Sequence, residues 1–290
     1  MSTIKKRAPR RVRRLGRRFS IAVGERTSSA RLTPSFVLAG AQRCGTTSLF
    51  RALMAHPAVL PAVHHKGVNY FDVNYAAGWP WYQGHFPMRT RAALRARRAG
   101  EDVVTFDASG YYMYHPHAPS RLGRDLPEVK VLLLLRDPVE RAFSAYKHEY
   151  ARGFETESFE RALEVEDERV QPELEKMLAD PSYYSFSHRH HSYRRRGQYA
   201  EQIEALSAAV GPERVLTIES SAFFAQPEEQ YERIVAFLGL RPFQPASFDR
   251  WNARPGAAIP KQVRRRLDDA LQPHDEALTN LLGQVPSWRR

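Results

Sequence analysis

One cysteine, Cys44, stands in 290 residues, so neither an internal disulfide nor a cysteine-rich zinc site is available. No apolar run approaches the roughly 20 residues that cross a bilayer, and the longest, over 129–135, is broken by Lys130. Behind the basic amino-terminal segment there is no apolar stretch of about 7 to 15 residues, which argues against a secretory leader. Acidic side chains are scarce at that end. Residues 1–34 hold eleven Lys and Arg against Glu25 alone, so +10 of the net charge of +12 lies there and the remainder of the chain is close to neutral. With so little apolar surface this segment is expected to be a disordered tail, 1–34, ahead of a domain over 35–290. Its charge suits an anionic membrane surface or a polyanion, with no specific nucleic acid implied. The lack of disulfides suits a reducing compartment, and the expected location is cytoplasmic, at the inner membrane face.

The stretch that organises the chain is Gly40-Ala41-Gln42-Arg43-Cys44-Gly45-Thr46-Thr47-Ser48. Before it, residues 36–39 have the character of a buried strand; after it, Leu49, Phe50, Leu53 and Met54 recur at helical spacing. A strand, a tight glycine-bounded loop and a helix direct free N–H groups of the helix start toward one place, which favours an anion. The spacing matches the phosphate loop G-x-x-x-x-G-K-[ST], except that Thr46 occupies the lysine position. The cation is Arg43 instead, so a phosphate-like group is favoured and ordinary triphosphate chemistry is not. A P-loop kinase is disfavoured on this ground. Cys44 reads as small filler in the loop.

Further along, prolines bracket a short strand near 57–61, and His64-His65-Lys66-Gly67-Val68-Asn69-Tyr70-Phe71-Asp72 reads as a site loop. An aromatic patch follows over 79–86, read chiefly as packing, then a basic helical face over 89–98 and a strand over 103–106 running into Asp107. The clearest strand, over 130–135, is apolar without alternation, as expected for a parallel sheet covered on both faces. It ends in Arg136-Asp137-Pro138, with Pro138 opening a helix that carries Glu140 and Ser144 at i+4 steps from Arg136. An acidic helical segment over 155–180 reads as a peripheral insertion. His188, His190 and His191 lack carboxylates or cysteines at ligand spacing, so no metal is expected. Helices are expected over 200–210, 227–238 and 261–282, with a strand over 214–218. Strands alternating with helices define an α/β fold: a single P-loop-type domain with a central parallel sheet flanked by helices on both faces.

Taken together, the loop over 40–49 and the strand-helix Val131-Leu132-Leu133-Leu134-Leu135-Arg136-Asp137-Pro138-Val139-Glu140-Arg141-Ala142-Phe143-Ser144 resemble sulfotransferases that use 3′-phosphoadenosine 5′-phosphosulfate (PAPS). The similarity is greatest to bacterial members related to the heparan sulfate sulfotransferases. It implies PAPS as co-substrate, no metal, and a small-molecule or glycan acceptor: a hydroxyl or amine of a carbohydrate, glycolipid or metabolite. It further implies that Arg43, Cys44, Gly45, Thr46, Thr47 and Ser48 hold the 5′-phosphosulfate and that Arg136 with Ser144 holds the 3′-phosphate. Arg196, Gly197 and Tyr199 would close over the nucleotide, with Arg254 adding a phosphate contact. Arg43 and Lys66 are the expected catalytic cations. Relatives commonly carry Lys-Glu-x-His-Phe-Phe-Asp with the glutamate as base, whereas this chain has Gly67 there, so the base must be reassigned or absent. Asp72, His65 and Asp107 are the candidates. A binding protein for polyanions or for the desulfonated product, 3′-phosphoadenosine 5′-phosphate (PAP), with a degenerate and poorly catalytic site, is the alternative reading.

Overall fold

A computed structural model describes residues 10–249, 251 and 258–290. In chain order the main elements are α1 (Arg10–Arg26), β1 (Phe36–Gly40), α2 (Thr46–Ala55), β2 (Val59–Pro61), α3 (Trp79–Gln83), α4 (Arg89–Ala99), β3 (Val104–Asp107), α5 (Ala118–Asp125), β4 (Lys130–Leu135) and α6 (Pro138–Tyr150). They continue with α7 (Phe159–Glu164), α8 (Glu166–Ala179), α9 (Phe186–His190), α10 (Tyr199–Val210), β5 (Val215–Glu219), α11 (Ser220–Ala225), α12 (Pro227–Leu238) and α13 (Lys261–Leu282).

The five strands form one parallel sheet in the order β2-β3-β1-β4-β5. Every residue of β1 is buried, and β4 is buried from Val131 onward, because helices cover both faces of the central strands. Strand order reverses direction at β1, with β3 on one side and β4 on the other. In an open α/β sheet such a switch point leaves a crevice beyond the strand carboxyl ends. The phosphate-type loop after β1 and the Arg136 turn after β4 both open there.

Two expectations change. The amino-terminal segment is helical over Arg10–Arg26, and its later half is seated on the domain. Ser20 Oγ and His64 Nε2 lie 3.1 Å apart, Arg31 donates to the Phe86 carbonyl at 2.7 Å, and Leu32 N donates to the Pro87 carbonyl at 2.9 Å. Gly24 lies so close to Gly84 that a Cβ on it would come within 2.4 Å of the Gly84 carbonyl oxygen. Backbone contact of this kind gives a charge-rich segment an anchor that its average composition conceals.

Nor is the acidic stretch a peripheral insertion. Glu166 at the start of α8 is fully buried, and its carboxylate accepts from Arg194 N at 2.8 Å and Arg195 N at 3.0 Å. It thereby fixes the turn that carries Arg196.

Candidate active site

A cleft of about 1080 Å³ opens at the switch point. At one end lie Arg43, Gly45, Thr46 and Thr47 from the loop, with Lys66, Arg136 and Ser144. Gly45 has φ 86, a left-handed conformation that glycine adopts without strain, and caps α2. Arg43 shares the left-handed region at φ 73. Lys66 Nζ donates to Thr46 Oγ1 at 3.0 Å and Thr47 Oγ1 at 3.3 Å, so the lysine missing from the loop is replaced in space by one from the loop after β2. Burial lowers the Lys66 ammonium to about 8.

Arg43 Nε donates to Ser144 Oγ at 3.2 Å, which holds its side chain to α6. Arg136 is ion-paired with Glu140 at 3.3 Å, and Glu140 also pairs with Arg264. Asp137 caps α6, accepting from Val139 N at 2.8 Å and Glu140 N at 3.3 Å, and so orients the Arg136 turn.

Other expected donor residues lie behind this surface. Cys44 is fully buried, burial raises its thiol to about 11, and it lies 3.8 Å from Tyr199 Oη. Tyr199 is buried and donates to the Arg136 carbonyl at 2.8 Å, holding the end of β4 instead of lining the cleft. Gly197 packs on Pro138, where a Cβ would meet that ring at 2.8 Å. Ser48 Oγ accepts from Trp251 N at 3.0 Å. Arg196 reaches the cleft, but its two terminal nitrogens are committed to the protein: they donate to Gln42 Oε1 and to the carbonyls of His188 and Arg189, beside the rings of Tyr111 and Tyr114, while Nε is buried without a partner. Arg254 lies outside the described residues.

The candidate bases are not brought to Lys66. His65 is exposed and does not line the cleft. Asp107 is buried and fully engaged, accepting from Val68 N at 3.0 Å, Ser109 Oγ at 2.7 Å and Tyr112 Oη at 2.6 Å; it organises the loop after β2. Asp72 is buried in the wall of a separate chamber of about 180 Å³, with Tyr111 and Tyr184 common to both spaces. Its Oδ1 accepts from Val73 N at 2.6 Å, its Oδ2 has no partner, and burial pushes the carboxyl up to about 7. A glutamate could not be restored at Gly67, since a Cβ there would come within 2.6 Å of the Ala108 carbonyl oxygen.

The segment over 183–193, where sequence reading looks for the acceptor, lines the cleft through Tyr184, Phe186, Arg189 and His190; Lys147, His148, Arg152 and Phe154, which sequence reading did not single out, line it as well. The aromatic segment over 79–86, by contrast, is core: Tyr82 and Phe86 are buried, and Tyr82 stacks on Tyr70 at 4.6 Å. The three histidines point to different partners: His188 to Tyr111 Oη at 2.6 Å, His190 to Glu149 at 3.1 Å, and His191 to the Phe154 carbonyl at 2.9 Å. Among the described residues no three His, Cys, Asp or Glu side chains come together as a metal-binding group. Phe224, Trp251 and Trp288 form an aromatic wall beside the loop, which local sequence did not signal.

A parallel sheet whose first strand runs into a glycine-bounded loop and helix start at the switch point, with Lys66 set against that loop, is a setting suited to an anionic ligand. Family comparison agrees: the model described as Sulfotransferase domain matches residues 33–252, and the chain belongs to that family. One stretch of 115 residues, 39% of the chain, is 37% identical to the membrane-associated sulfotransferase kil1 of Dictyostelium discoideum and covers 22% of that protein. The human bifunctional heparan sulfate N-deacetylase/N-sulfotransferase 3 is 27% identical over 221 residues, 72% of this chain and 22% of that one. The chain thus spans about a fifth of the length of these curated relatives. The crystal structure of a sulfotransferase from Alicyclobacillus acidocaldarius is 26% identical, with a TM-score of 0.66 over 89% of this chain and 100% of that one.

Proposed function

We propose that this protein moves the sulfuryl group of PAPS onto a hydroxyl or amine of an anionic acceptor: a carbohydrate, glycolipid or small metabolite. The observation that carries the reading is a single cleft lined both by the phosphate-type donors of the loop after β1 and by arginines and aromatic rings from other segments. The residues fit the donor. Cations and hydroxyls from Arg43, Thr46, Thr47 and Lys66 suit a phosphosulfate, Arg136 with Ser144 suits a second phosphate, and Phe224, Trp251 and Trp288 offer faces to a purine.

When bound, PAPS supplies an activated sulfuryl group that is displaced in line. Lys66, drawn between two threonine hydroxyls, holds positive charge where the transferring group and the leaving phosphate gather negative charge. Arg152 and Arg189 give an anionic acceptor charge-assisted hydrogen bonds, and Tyr184 and Phe186 offer apolar faces to a sugar ring or lipid stem. We extend the proposal to location: a cytoplasmic protein whose basic α1, with Phe19 74% exposed, faces an anionic membrane surface.

Calorimetry with PAP, followed by transfer from labelled PAPS to neutral and anionic acceptors, tests the reading. Micromolar PAP binding with preference for anionic acceptors is expected; no PAP binding overturns it. The second reading, a PAP- or polyanion-binding protein with little turnover, draws on Gly67, which occupies the position where relatives carry the base. Tight PAP binding without transfer to any acceptor would favour it.

A further inference from the structure

An apolar stripe seats α13 on α6. Val263, Leu267 and Leu271 recur at four-residue spacing on α13 and are buried in one cluster with Val139, Ala142 and Phe143 of α6. In that register the residue after Val263, Arg264, stands beside the first turn of α6, and its guanidinium meets both acids of the turn. One terminal nitrogen donates to Glu140 Oε1, and the other lies 3.6 Å from Asp137 Oδ2. Asp137 keeps its second oxygen for capping α6, where it accepts from Val139 N and Glu140 N. Glu140 turns its second oxygen to Arg136, 3.3 Å away.

These four side chains are between 27% and 41% exposed, and ion pairs so open to water add little to folding. Their effect falls on Arg136. Arg136, Asp137 and Glu140 all line the cleft, so the cation assigned to the 3′-phosphate stands among two carboxylates that repel a phosphate, one of which already holds it. Arg264 gives both carboxylates a second cation from outside the cleft lining. It comes from α13, which lies beyond residues 33–252 matched by the family model, so the family match assigns it no role.

We propose, resting on the sulfotransferase reading above, that Arg264 is a positioning residue for the 3′-phosphate of the donor and acts through Glu140. It holds the Glu140 carboxylate on the α13 side, so that Arg136 can turn to the phosphate while Glu140 keeps a cation partner. Removing Arg264 leaves Arg136 as the one cation of the turn against two carboxylates, and the phosphate must then compete with Glu140 for it. The 5′ end of the donor is held by Lys66, Thr46 and Thr47, outside this network, so the effect is confined to ligands that carry a 3′-phosphate.

Calorimetry on the full chain with PAP, and with adenosine 5′-phosphosulfate as the probe without a 3′-phosphate, provides the test. Arg264→Gln should weaken PAP binding about tenfold, within the range for coupled residues of one charge network, and leave adenosine 5′-phosphosulfate within about twofold. Glu140→Gln should not weaken PAP binding, and the double variant Glu140→Gln/Arg264→Gln should recover it, because the carboxylate that competes for Arg136 is gone. That recovery is a result that a merely structural role of Arg264 would not produce. Arg266→Gln removes the same charge two positions on, from a side chain paired with Glu160 at 2.8 Å, and should leave both ligands within about twofold. Unchanged PAP affinity in Arg264→Gln, an equal loss for the two ligands, a loss that persists in the double variant, or an equal loss in Arg266→Gln overturns the inference and leaves the donor reading standing. Absence of PAP binding in the unmodified protein overturns both.

Discussion

Arg43 Nε and Ser144 Oγ meet at 3.2 Å, joining the loop after β1 to the middle of α6 across 101 positions of sequence. The contact brings the loop cation to the same end of the cleft as Arg136. The positive charge opposite Thr46 and Thr47 comes from Lys66.

Arg136→Ala is expected to weaken PAP binding by about 1.5 to 3 kcal/mol, the range for a hydrogen bond to a charged group, while leaving the fold intact. Adenosine 5′-phosphosulfate, which lacks the 3′-phosphate, should bind both proteins alike in calorimetry. Equal losses for the two ligands would place Arg136 elsewhere on the donor.

Lys66 gives donor binding a pH dependence. Its ammonium, lowered by burial to about 8, is charged below that pH and neutral above it, so affinity for the phosphosulfate should fall as pH rises through about 8. A bound anion favours the charged form and moves the midpoint upward in the complex. Affinities measured between about pH 6.5 and 9.5 should show the fall in the unmodified protein. Lys66→Ala should be weak and flat; a retained fall in that variant would assign the titration to another group.

Asp72 should affect stability more than turnover. Its carboxyl titrates near 3.8 when unfolded and near 7 when folded, so between those values the folded state binds the extra proton. Stability from this group is therefore present at low pH and lost as pH rises toward about 7. Asp72→Asn removes the buried charge and can keep the bond from Val73 N; it should stabilise the protein at pH 8 by on the order of 2 kcal/mol, seen as a higher midpoint in urea. A large fall in kcat in this variant would instead restore Asp72 as a base candidate.

The amino-terminal segment divides into two parts. Removing residues 1–19 should leave thermal stability nearly unchanged, whereas removing 1–34 takes away the contacts of Ser20, Gly24, Arg31 and Leu32 with the domain and should lower Tm by several degrees. Gly24→Val should reproduce much of that loss, because overpacking of a close backbone contact costs about 1 to 3 kcal/mol. Equal melting temperatures for both truncations would show that the segment contributes nothing to folding.

Local signals in the sequence defined the loop over 40–48, the buried strand over 130–135, and helices Pro227–Leu238 and Lys261–Leu282, because periodicity, glycine spacing and proline position act over a few residues. They also set Ser144 on one helical face with Arg136 and put Lys66 in a polar loop, and both line the cleft. Tertiary structure alone decided which groups share the cleft. It turned Asp72 into a side chamber, placed Tyr199 and Gly197 behind the strand ends, and packed Gly67 against Ala108. It also brought His190 to Glu149, 41 residues apart, a pairing for which neither residue's neighbours in sequence give any sign. Side-chain direction at a strand end is set by what packs above it, and those partners come from distant segments whose approach is fixed only when the sheet and its covering helices close.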